Sequence, residues 1–300
     1  MPFDDDEVLT MFNGAISALI TPFRDGMVDE AALRELVEWE IQSGIDGLVP
    51  CGSTGESATL THAEHERVIK LVVEQTRGRV PVIAGTGSNS TAEAIRLTTF
   101  ARETGADAAL LLSPYYNKPT QDGIYKHYKM IAASVDLPLI VYNIPGRTAS
   151  NILPETFARM CDIKQVVGIK ESSGSLDQCS DILKFCGDRL TLLSGDDSLT
   201  LPLMAIGAKG VVSVATNVVP SQMHEMAAAA LVGDFERART LHFRLLPLMR
   251  ALFQETNPIP VKQACAFMRK CTNEMRMPLM PMSPGPADRL HAVMKEMGLV

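Results

Sequence analysis

A lysine ends one of the most apolar stretches of the sequence. Val166-Val167-Gly168-Ile169 carries no charge, and Lys170 follows it directly. An ammonium group at the end of a buried strand loses hydration, which lowers its pKa and favours the neutral amine. Because a neutral amine attacks carbonyl carbon and forms an imine, we predict that Lys170 is a nucleophile. The alternative is an ordinary lysine whose side chain reaches solvent.

A tyrosine and an arginine near the middle of the chain have the chemistry to assist such a nucleophile. Tyr142 ends the apolar run Leu137–Tyr142, and a phenol at that place can transfer protons. Arg147 lies in the loop that follows, and its planar guanidinium suits a carboxylate. Each has a plainer interpretation, because most strand-end tyrosines are core residues with a solvated hydroxyl and loop arginines form surface ion pairs.

The loop Gly52-Ser53-Thr54-Gly55-Glu56-Ser57 offers groups that can hold an anion. Its glycines permit a tight turn, and its backbone N–H groups and hydroxyls form a cradle for a carboxylate. It is not a phosphate-binding loop, because the spacing and the lysine of that motif are missing. His62 and His65 follow, but no third ligand accompanies them, so the sequence does not favour a metal site.

Eight short apolar runs must position these groups. Each run is almost continuously apolar, as expected of parallel strands buried on both faces. The runs alternate with amphipathic helical stretches at a spacing of roughly 20–35 residues, which predicts an α/β fold, a closed (β/α)₈ TIM barrel. A doubly wound open sheet is the alternative, because alternation alone does not prove closure. The runs are Ala15–Ile20, Gly47–Val49, Val80–Ala84, Ala108–Leu112, Leu137–Tyr142, Val166–Lys170, Leu190–Leu193 and Gly210–Val214.

Helix starts and the end of the strand pattern define the predicted regions. Three residue pairs fit the reciprocal capping pattern, and Pro154 suits a first helical turn. The pairs are Thr61 with Glu64, Ser90 with Glu93, and Ser175 with Gln178. An eighth helix is predicted over Pro220–Leu231, followed by three further helical stretches. We predict a loose acidic tail at residues 1–10, with Met11 as an alternative start, a catalytic barrel at 11–233 and a C-terminal helical region at 234–300.

Composition narrows the class of protein. Apolar residues make up 46% of the 300 residues, enough for a large core. The net charge of −7 argues against nucleic acid or an anionic membrane as a partner. Neither a membrane-span-length apolar run nor a secretory pattern is visible, which predicts a cytoplasmic protein. The six cysteines include no C-x-x-C pair, so we expect reduced thiols.

Five motifs, taken together and in this order, carry a resemblance to a known family. They resemble the pyruvate-dependent class I aldolases, the family that includes N-acetylneuraminate lyase. The resemblance runs from Met11 to the C-terminus and includes Asn257-Pro258-Ile259-Pro260-Val261-Lys262. The motifs are Gly52-Ser53-Thr54-Gly55-Glu56-Ser57, Pro114-Tyr115-Tyr116-Asn117, Tyr142-Asn143-Ile144-Pro145-Gly146-Arg147-Thr148, Gly168-Ile169-Lys170-Glu171 and Ser194-Gly195-Asp196-Asp197.

The resemblance implies a covalent mechanism that uses no metal and no organic cofactor. Lys170 would form an imine with pyruvate, and Tyr142 would relay protons together with Ser53 and with Tyr116 from a neighbouring subunit. The enamine would then condense with L-aspartate-4-semialdehyde to give 4-hydroxy-tetrahydrodipicolinate, the first committed step of lysine and diaminopimelate biosynthesis. The implied assembly is a homotetramer built from tight dimers.

The resemblance also implies two sets of binding residues. The backbone around Ser53 and Thr54 would hold the pyruvate carboxylate, with Gly195 and Val212 lining the pocket, and Arg147 would orient the carboxylate of the aldehyde. A second set matches the lysine-binding residues of lysine-inhibited members, so L-lysine is a predicted inhibitor. That set is Ser57, Ala58, His62, His65, Asn89, Glu93 and Tyr115.

Ser53 is a departure from the pattern of the members that use aspartate semialdehyde. Those members usually carry threonine at this position, whereas Gly-Ser-Thr-Gly-Glu is typical of N-acetylneuraminate lyases. The lyases, however, lack an equivalent of Arg147 and of the pair Tyr115–Tyr116. Arg147 and the tyrosine pair therefore favour the members that use aspartate semialdehyde, although Ser53 lacks the methyl group of their threonine. The alternatives are an N-acetylneuraminate or sugar-acid lyase and a catalytically silent barrel that senses a ligand.

Overall fold

A computed structural model describes residues 11–300. The loose tail predicted at residues 1–10 lies outside the described residues. Eight strands alternate with helices along the chain. The strands are β1 (Gly14–Ala18), β2 (Gly47–Val49), β3 (Ile83–Gly85), β4 (Ala108–Leu112), β5 (Leu139–Asn143), β6 (Val166–Glu171), β7 (Thr191–Ser194) and β8 (Gly210–Ser213). All eight predicted strands are thus present, with ends that differ by at most about three residues, as expected of element boundaries.

The strands form one parallel ring. Neighbours pair in chain order, and β1 pairs with β8 through the register Gly14 with Gly210. The remaining gap, between β2 and β3, is joined by the parallel bridge of Leu48 with Val82. The amide of Gly85 also donates to the carbonyl of Pro50 at 2.9 Å across the same gap. The sheet therefore closes on itself, so the predicted barrel is confirmed and the open doubly wound sheet is wrong.

Eleven helices surround and extend the barrel within the described residues. The first eight each follow a strand, and the last three pack as a helical region after the barrel, as predicted. They are α1 (Glu30–Gln42), α2 (His62–Thr76), α3 (Thr91–Thr104), α4 (Gln121–Ser134), α5 (Pro154–Met160), α6 (Leu176–Cys186), α7 (Thr200–Ala205), α8 (Pro220–Leu231), α9 (Phe235–Ala251), α10 (Ile259–Phe267) and α11 (Pro284–Glu296), with one further helical turn at Pro145–Thr148. In this part of the chain no helix is long and apolar enough to cross a membrane.

The predicted helix caps are confirmed in part. Thr61 and Glu64 form the full reciprocal pair at the start of α2. Ser175 accepts from the amide of Gln178 at α6, but the Gln178 side chain turns away to Asn151 instead of returning. These two caps satisfy amides that the first helical turn leaves without a partner.

The capping box predicted for Ser90 and Glu93 is wrong. Ser90 makes no side-chain bond at the start of α3. The hydroxyl of Ser88 accepts from the Ser90 amide at 3.0 Å and donates to the Glu93 carboxylate. Glu93 also binds His62 of α2, with 2.7 Å between Oε1 and Nε2. Ser88 thus accepts from the Ser90 amide in place of Glu93, and the Glu93 carboxylate is occupied by the nearby Ser88 and the distant His62.

Two apolar clusters explain why the strands are apolar on both faces. On β5, Ile140 and Tyr142 point into the barrel, while Leu139 and Val141 pack outward against the helices. The larger cluster lies between strands and helices. The inner one, here the interior cluster, consists of Phe12, Ile16, Ala18, Val49, Ile83, Ala108, Leu110, Ile140, Tyr142, Leu193 and Val212. Because successive strand residues face opposite sides, both sets must be apolar.

Candidate active site

Lys170 lies near the carboxyl end of β6 with its side chain inside the barrel. It is 6% exposed, so the amine does not reach open solvent. Strand pairing sets Lys170 directly beside Tyr142 of β5 and Leu193 of β7. Residues paired in adjacent strands point to the same face, and Lys170 Nζ accordingly lies 4.1 Å from the centroid of the Tyr142 ring. The two residues therefore share one end of the barrel interior.

Burial sets the protonation state of this pair. Burial lowers the pKa of Lys170 to about 8, and the positive charge of Arg147 acts in the same direction, whereas Asp196 and Asp197 oppose it. Burial raises the pKa of Tyr142 to about 12. At pH 7 the phenol is therefore protonated, while about one amine in ten is neutral. A neutral amine beside a proton-donating phenol is suited to attack on a carbonyl.

A small cavity of about 50 Å³ opens at this end of the barrel. The structure brings six of the predicted site residues to its wall: Ser53, Thr54, Tyr142, Arg147, Lys170 and Gly195. Val212 lies below them in the interior cluster, and Val214, two residues later, lines the cavity. Asp196, Phe253 and Asn257 also line the cavity. Asp196 and Asn257 belong to motifs of the family resemblance, but none of the three was predicted as a site residue.

Gly195 leaves the space that the Lys170 side chain occupies. A Cβ atom at this position would lie 1.7 Å from Ser172 Oγ and 3.0 Å from Lys170 Cε. The first distance is too short for unbonded atoms, so the Ser172 hydroxyl would have to turn away, and the second is tight enough that the Lys170 stem would have to shift by a few tenths of an ångström. Any side chain at position 195 would therefore displace Lys170 or Ser172.

Asn257 joins the two polar walls of the cavity. Its side-chain amide donates to Thr54 Oγ1 at 2.9 Å, and its backbone carbonyl accepts from Arg147 Nη2 at 2.9 Å. Asn257 stands in the turn before α10, far in sequence from every strand end. Strand-end reasoning therefore missed it, although it begins the motif Asn257–Lys262 that supports the family resemblance. The contact leaves the Thr54 hydroxyl proton free to be donated into the cavity.

Tyr115 and Tyr116 lie outside this cavity. Tyr116 is 88% exposed, with φ at +70°, and Tyr115 is also exposed. Their loop follows β4 on the same rim as Lys170, but neither phenol lines the cavity of its own chain. Within the described residues the Tyr116 phenol has no hydrogen-bond partner, whereas the contacts of Asn89 and Asn117 hold the loop on either side of it.

The residues predicted to bind lysine form two contacts on the outer rim. His62 binds Glu93, and the Asn89 side chain donates to the carbonyl of Tyr115 at 3.2 Å. His65 is buried and binds the carbonyl of Gly85 at 2.7 Å. Ser57 and Ala58 begin the short helical turn before α2. Over residues 11–300, no cluster of three His, Cys, Asp or Glu side chains is arranged to hold a metal ion.

A closed (β/α)₈ barrel that buries a lysine amine beside a phenol, at the carboxyl ends of its strands, has the architecture of an imine-forming barrel enzyme. Comparison with known proteins defines the family. The chain belongs to the dihydrodipicolinate synthetase family, whose model matches residues 11–297.

Individual relatives agree over almost the whole chain. The 4-hydroxy-tetrahydrodipicolinate synthase of Nitratidesulfovibrio vulgaris (strain DP4) is 56% identical over 290 residues, covering 96% of this chain and 99% of the relative. The crystal structure of dihydrodipicolinate synthase from Aquifex aeolicus is 51% identical with a TM-score of 0.95, covering 96% of this chain and 99% of that one. The enzyme from Cyanidioschyzon merolae, solved with lysine bound, is 38% identical with a TM-score of 0.94, covering 97% and 99%.

Proposed function

We propose that the protein condenses pyruvate with L-aspartate-4-semialdehyde to give 4-hydroxy-tetrahydrodipicolinate. The observation that carries the proposal is the buried Lys170 amine, partly neutral, beside the protonated Tyr142 phenol. Close relatives named for the same reaction support it. The reaction is the first committed step of lysine and diaminopimelate biosynthesis, which we place in the cytoplasm.

The first half of the reaction builds an enamine on Lys170. The neutral Nζ attacks C2 of pyruvate, and the carbinolamine loses water after proton transfer through Tyr142. Ser53 extends the proton relay from the cavity wall, and the groups around Ser53 and Thr54 hold the pyruvate carboxylate. Loss of a proton from C3 then gives the enamine. In this scheme the imine itself accepts the electron pair, so the reaction requires neither a metal nor an organic cofactor.

The second half forms the carbon–carbon bond and releases the enzyme. Enamine C3 attacks the aldehyde carbon, and the resulting alkoxide takes a proton from the relay. The amine of the former aspartate semialdehyde then attacks C2 of the imine, which closes the ring and expels the Lys170 amine. Arg147 at the mouth holds the substrate carboxylate through its planar fork. The Arg147 contact therefore favours a short aldehyde that carries a carboxylate over a polyol.

A substrate panel tests the proposal. The purified protein is assayed with pyruvate and aspartate semialdehyde, with pyruvate and sugar aldehydes, and with N-acetylneuraminate in the cleavage direction. We expect rapid pyruvate consumption when aspartate semialdehyde is the aldehyde, and none with the sugar aldehydes. Because Ser53 is typical of N-acetylneuraminate lyases, cleavage of that sugar with the higher kcat/KM would replace the proposal with the lyase alternative.

We also propose that the protein assembles as a homotetramer of tight dimers. The exposed Tyr116 supports this, because a phenol on the rim of one barrel can complete the proton relay of the next. Each active site would then contain Tyr116 of the partner subunit. Leu231, Val232 and Phe235 are likewise exposed, around the turn between α8 and α9, where apolar side chains gain from a protein contact.

Inhibition by L-lysine is the proposed regulation. Hydrogen bonds from Ser88 and His62 lower the pKa of Glu93, so its carboxylate is charged at neutral pH and can pair with an ammonium group. The Asn89 contact connects the same site to the loop that carries Tyr115 and Tyr116. Binding of lysine can therefore reach the proton relay without occupying the pyruvate cavity.

Steady-state kinetics with millimolar L-lysine, in wild type and in Glu93→Ala, measure this regulation. We expect partial inhibition of the wild type that pyruvate does not relieve, and at least about tenfold weaker inhibition of the variant after loss of a charge-assisted bond. Glu66→Ala is the matched control, because Glu66 lies on α2 and binds Arg96 instead. Equal inhibition of Glu93→Ala and wild type would contradict the predicted site.

A further inference from the structure

The loop that carries Ser53 and Thr54 is bounded by two unusual backbone conformations. Cys51 has φ at +57° and Glu56 has φ at +53°, both in the left-handed region that side chains other than glycine rarely adopt. Such conformations cost energy and persist where surrounding contacts hold them. The carboxylate cradle thus lies on a turn that needs support at both ends.

Lys262 supplies the contact at the second end. It lies on α10, is 0% exposed, and its Nζ is 2.5 Å from Glu56 Oε1. The same Nζ lies 4.0 Å from the centroid of the Phe23 ring. The other oxygen of Glu56 accepts from the backbone amide of Arg276 at 3.2 Å. Both oxygens of the Glu56 carboxylate are therefore held in place, two residues after Thr54.

Stability alone does not account for a buried ion pair at this place. Removing two charges from water costs about as much as their attraction returns, and an apolar pair of similar volume is often as stable or more stable. The ion pair instead fixes an orientation, because the Glu56 carboxylate is held by two donors that fix its position. Lys262 has no part in the proposed chemistry, and its amine does not line the cavity.

We propose that Lys262 is a positioning residue: through Glu56 it fixes the turn that presents Ser53 and Thr54 to the pyruvate carboxylate, so that helix α10 sets the affinity for pyruvate. This inference rests on the proposed function, since it assumes that pyruvate binds beside Lys170. It assigns to the C-terminal helical region a role in ground-state binding that is separate from proton transfer by Tyr142.

The test compares a double variant with wild type. Glu56→Gln/Lys262→Met removes both charges with little change in volume, so no buried charge remains unpaired. The control is Glu30→Gln/Arg67→Met, which removes an exposed ion pair of 2.6 Å between α1 and α2. For each protein we measure the melting temperature and the pyruvate concentration that gives half-maximal borohydride labelling of Lys170. Turnover at saturating pyruvate is measured separately.

We expect the double variant to melt near the wild-type temperature but to need at least about tenfold more pyruvate for labelling, because misplacing a binding group by an ångström costs up to about 100-fold. Labelling at saturating pyruvate should remain complete, and the control should match wild type. Glu56→Asp keeps the negative charge but shortens the side chain, so it should show a smaller increase in the pyruvate concentration needed for labelling. This variant replaces the double variant in the test if the double variant does not fold.

Two results overturn the idea, and they are distinguishable. A folded double variant, or a folded Glu56→Asp, with the wild-type pyruvate dependence shows that the ion pair does not position the loop. Absence of labelling in wild type itself would instead contradict the proposed imine with Lys170, and the positioning role with it.

Discussion

Replacing Lys170 with alanine should abolish covalent capture of pyruvate and reduce turnover by at least about 10⁴-fold, as removal of a covalent nucleophile does in other enzymes. In the proposed reaction pyruvate C2 stays bonded to this amine from the first attack until ring closure expels it. Borohydride treatment with pyruvate should add one three-carbon unit to the wild-type peptide that contains Lys170. Lys164→Ala removes an exposed lysine before β6 and should keep full labelling. Unchanged labelling in Lys170→Ala would place the imine elsewhere.

The lowered pKa of Lys170 predicts how the rate of imine formation depends on pH. At pH 7 a pKa of about 8 leaves about one amine in ten neutral, about 300-fold more than an ordinary lysine would have. Because the neutral form is the nucleophile, imine formation should rise with pH and level off above about pH 8. A rate that still climbs toward pH 10 would show that burial does not lower the pKa of this amine.

Replacing Arg147 with alanine should separate the two substrates. Loss of a bidentate charged contact is worth about 3 kcal/mol, so turnover with aspartate semialdehyde should fall about 100-fold. Labelling of Lys170 by pyruvate should persist, because the pyruvate carboxylate is held by the loop at Ser53 and Thr54. Arg147→Lys keeps the charge without the fork and should lie between wild type and alanine.

The pH of this measurement matters, because Arg147 also contributes to lowering the pKa of Lys170. Its removal raises that pKa and reduces the neutral amine at pH 7. At about pH 9 this effect is small, and the remaining loss reports the contact with the aldehyde carboxylate. If labelling by pyruvate and turnover with aspartate semialdehyde then fall by the same factor, Arg147 does not discriminate between the substrates.

The sequence predicts the barrel and the strand-end chemistry well, for a physical reason. Strands buried on both faces must be apolar throughout, so a polar residue at the end of a run, such as Lys170 or Tyr142, stands out against its neighbours. Strand pairing then places such residues side by side, because the ends of adjacent parallel strands lie at the same edge of the barrel. The eight strands and the location of these two residues follow from that pattern alone.

Contacts between distant segments leave no such local pattern. Asn257 reaches Thr54 and Arg147 from a turn between helices, and Lys262 looks like an ordinary residue of an amphipathic helix until its burial is known. The Ser90 cap failed for the same reason, because Glu93 binds Ser88 and His62 instead of the helix start. For Asn257 and Lys262 the partners are distant in sequence, and for Glu93 the distant His62 acts together with the nearby Ser88, so a pattern of residue types at fixed spacing does not reveal where these side chains point.

The contacts of Asn257 have a consequence for the timing of synthesis. They join residues 203 and 110 positions apart, Thr54 and Arg147 respectively. A chain emerging from the ribosome can pair its early strands while translation continues, yet neither contact can form before residue 257 has left the exit tunnel. At about 5–20 residues per second, most of the barrel is exposed for several seconds before its mouth is complete. A nascent chain therefore carries Lys170, Thr54 and Arg147 before Asn257 can join the two polar walls, and activity should begin only after residue 257 has left the exit tunnel.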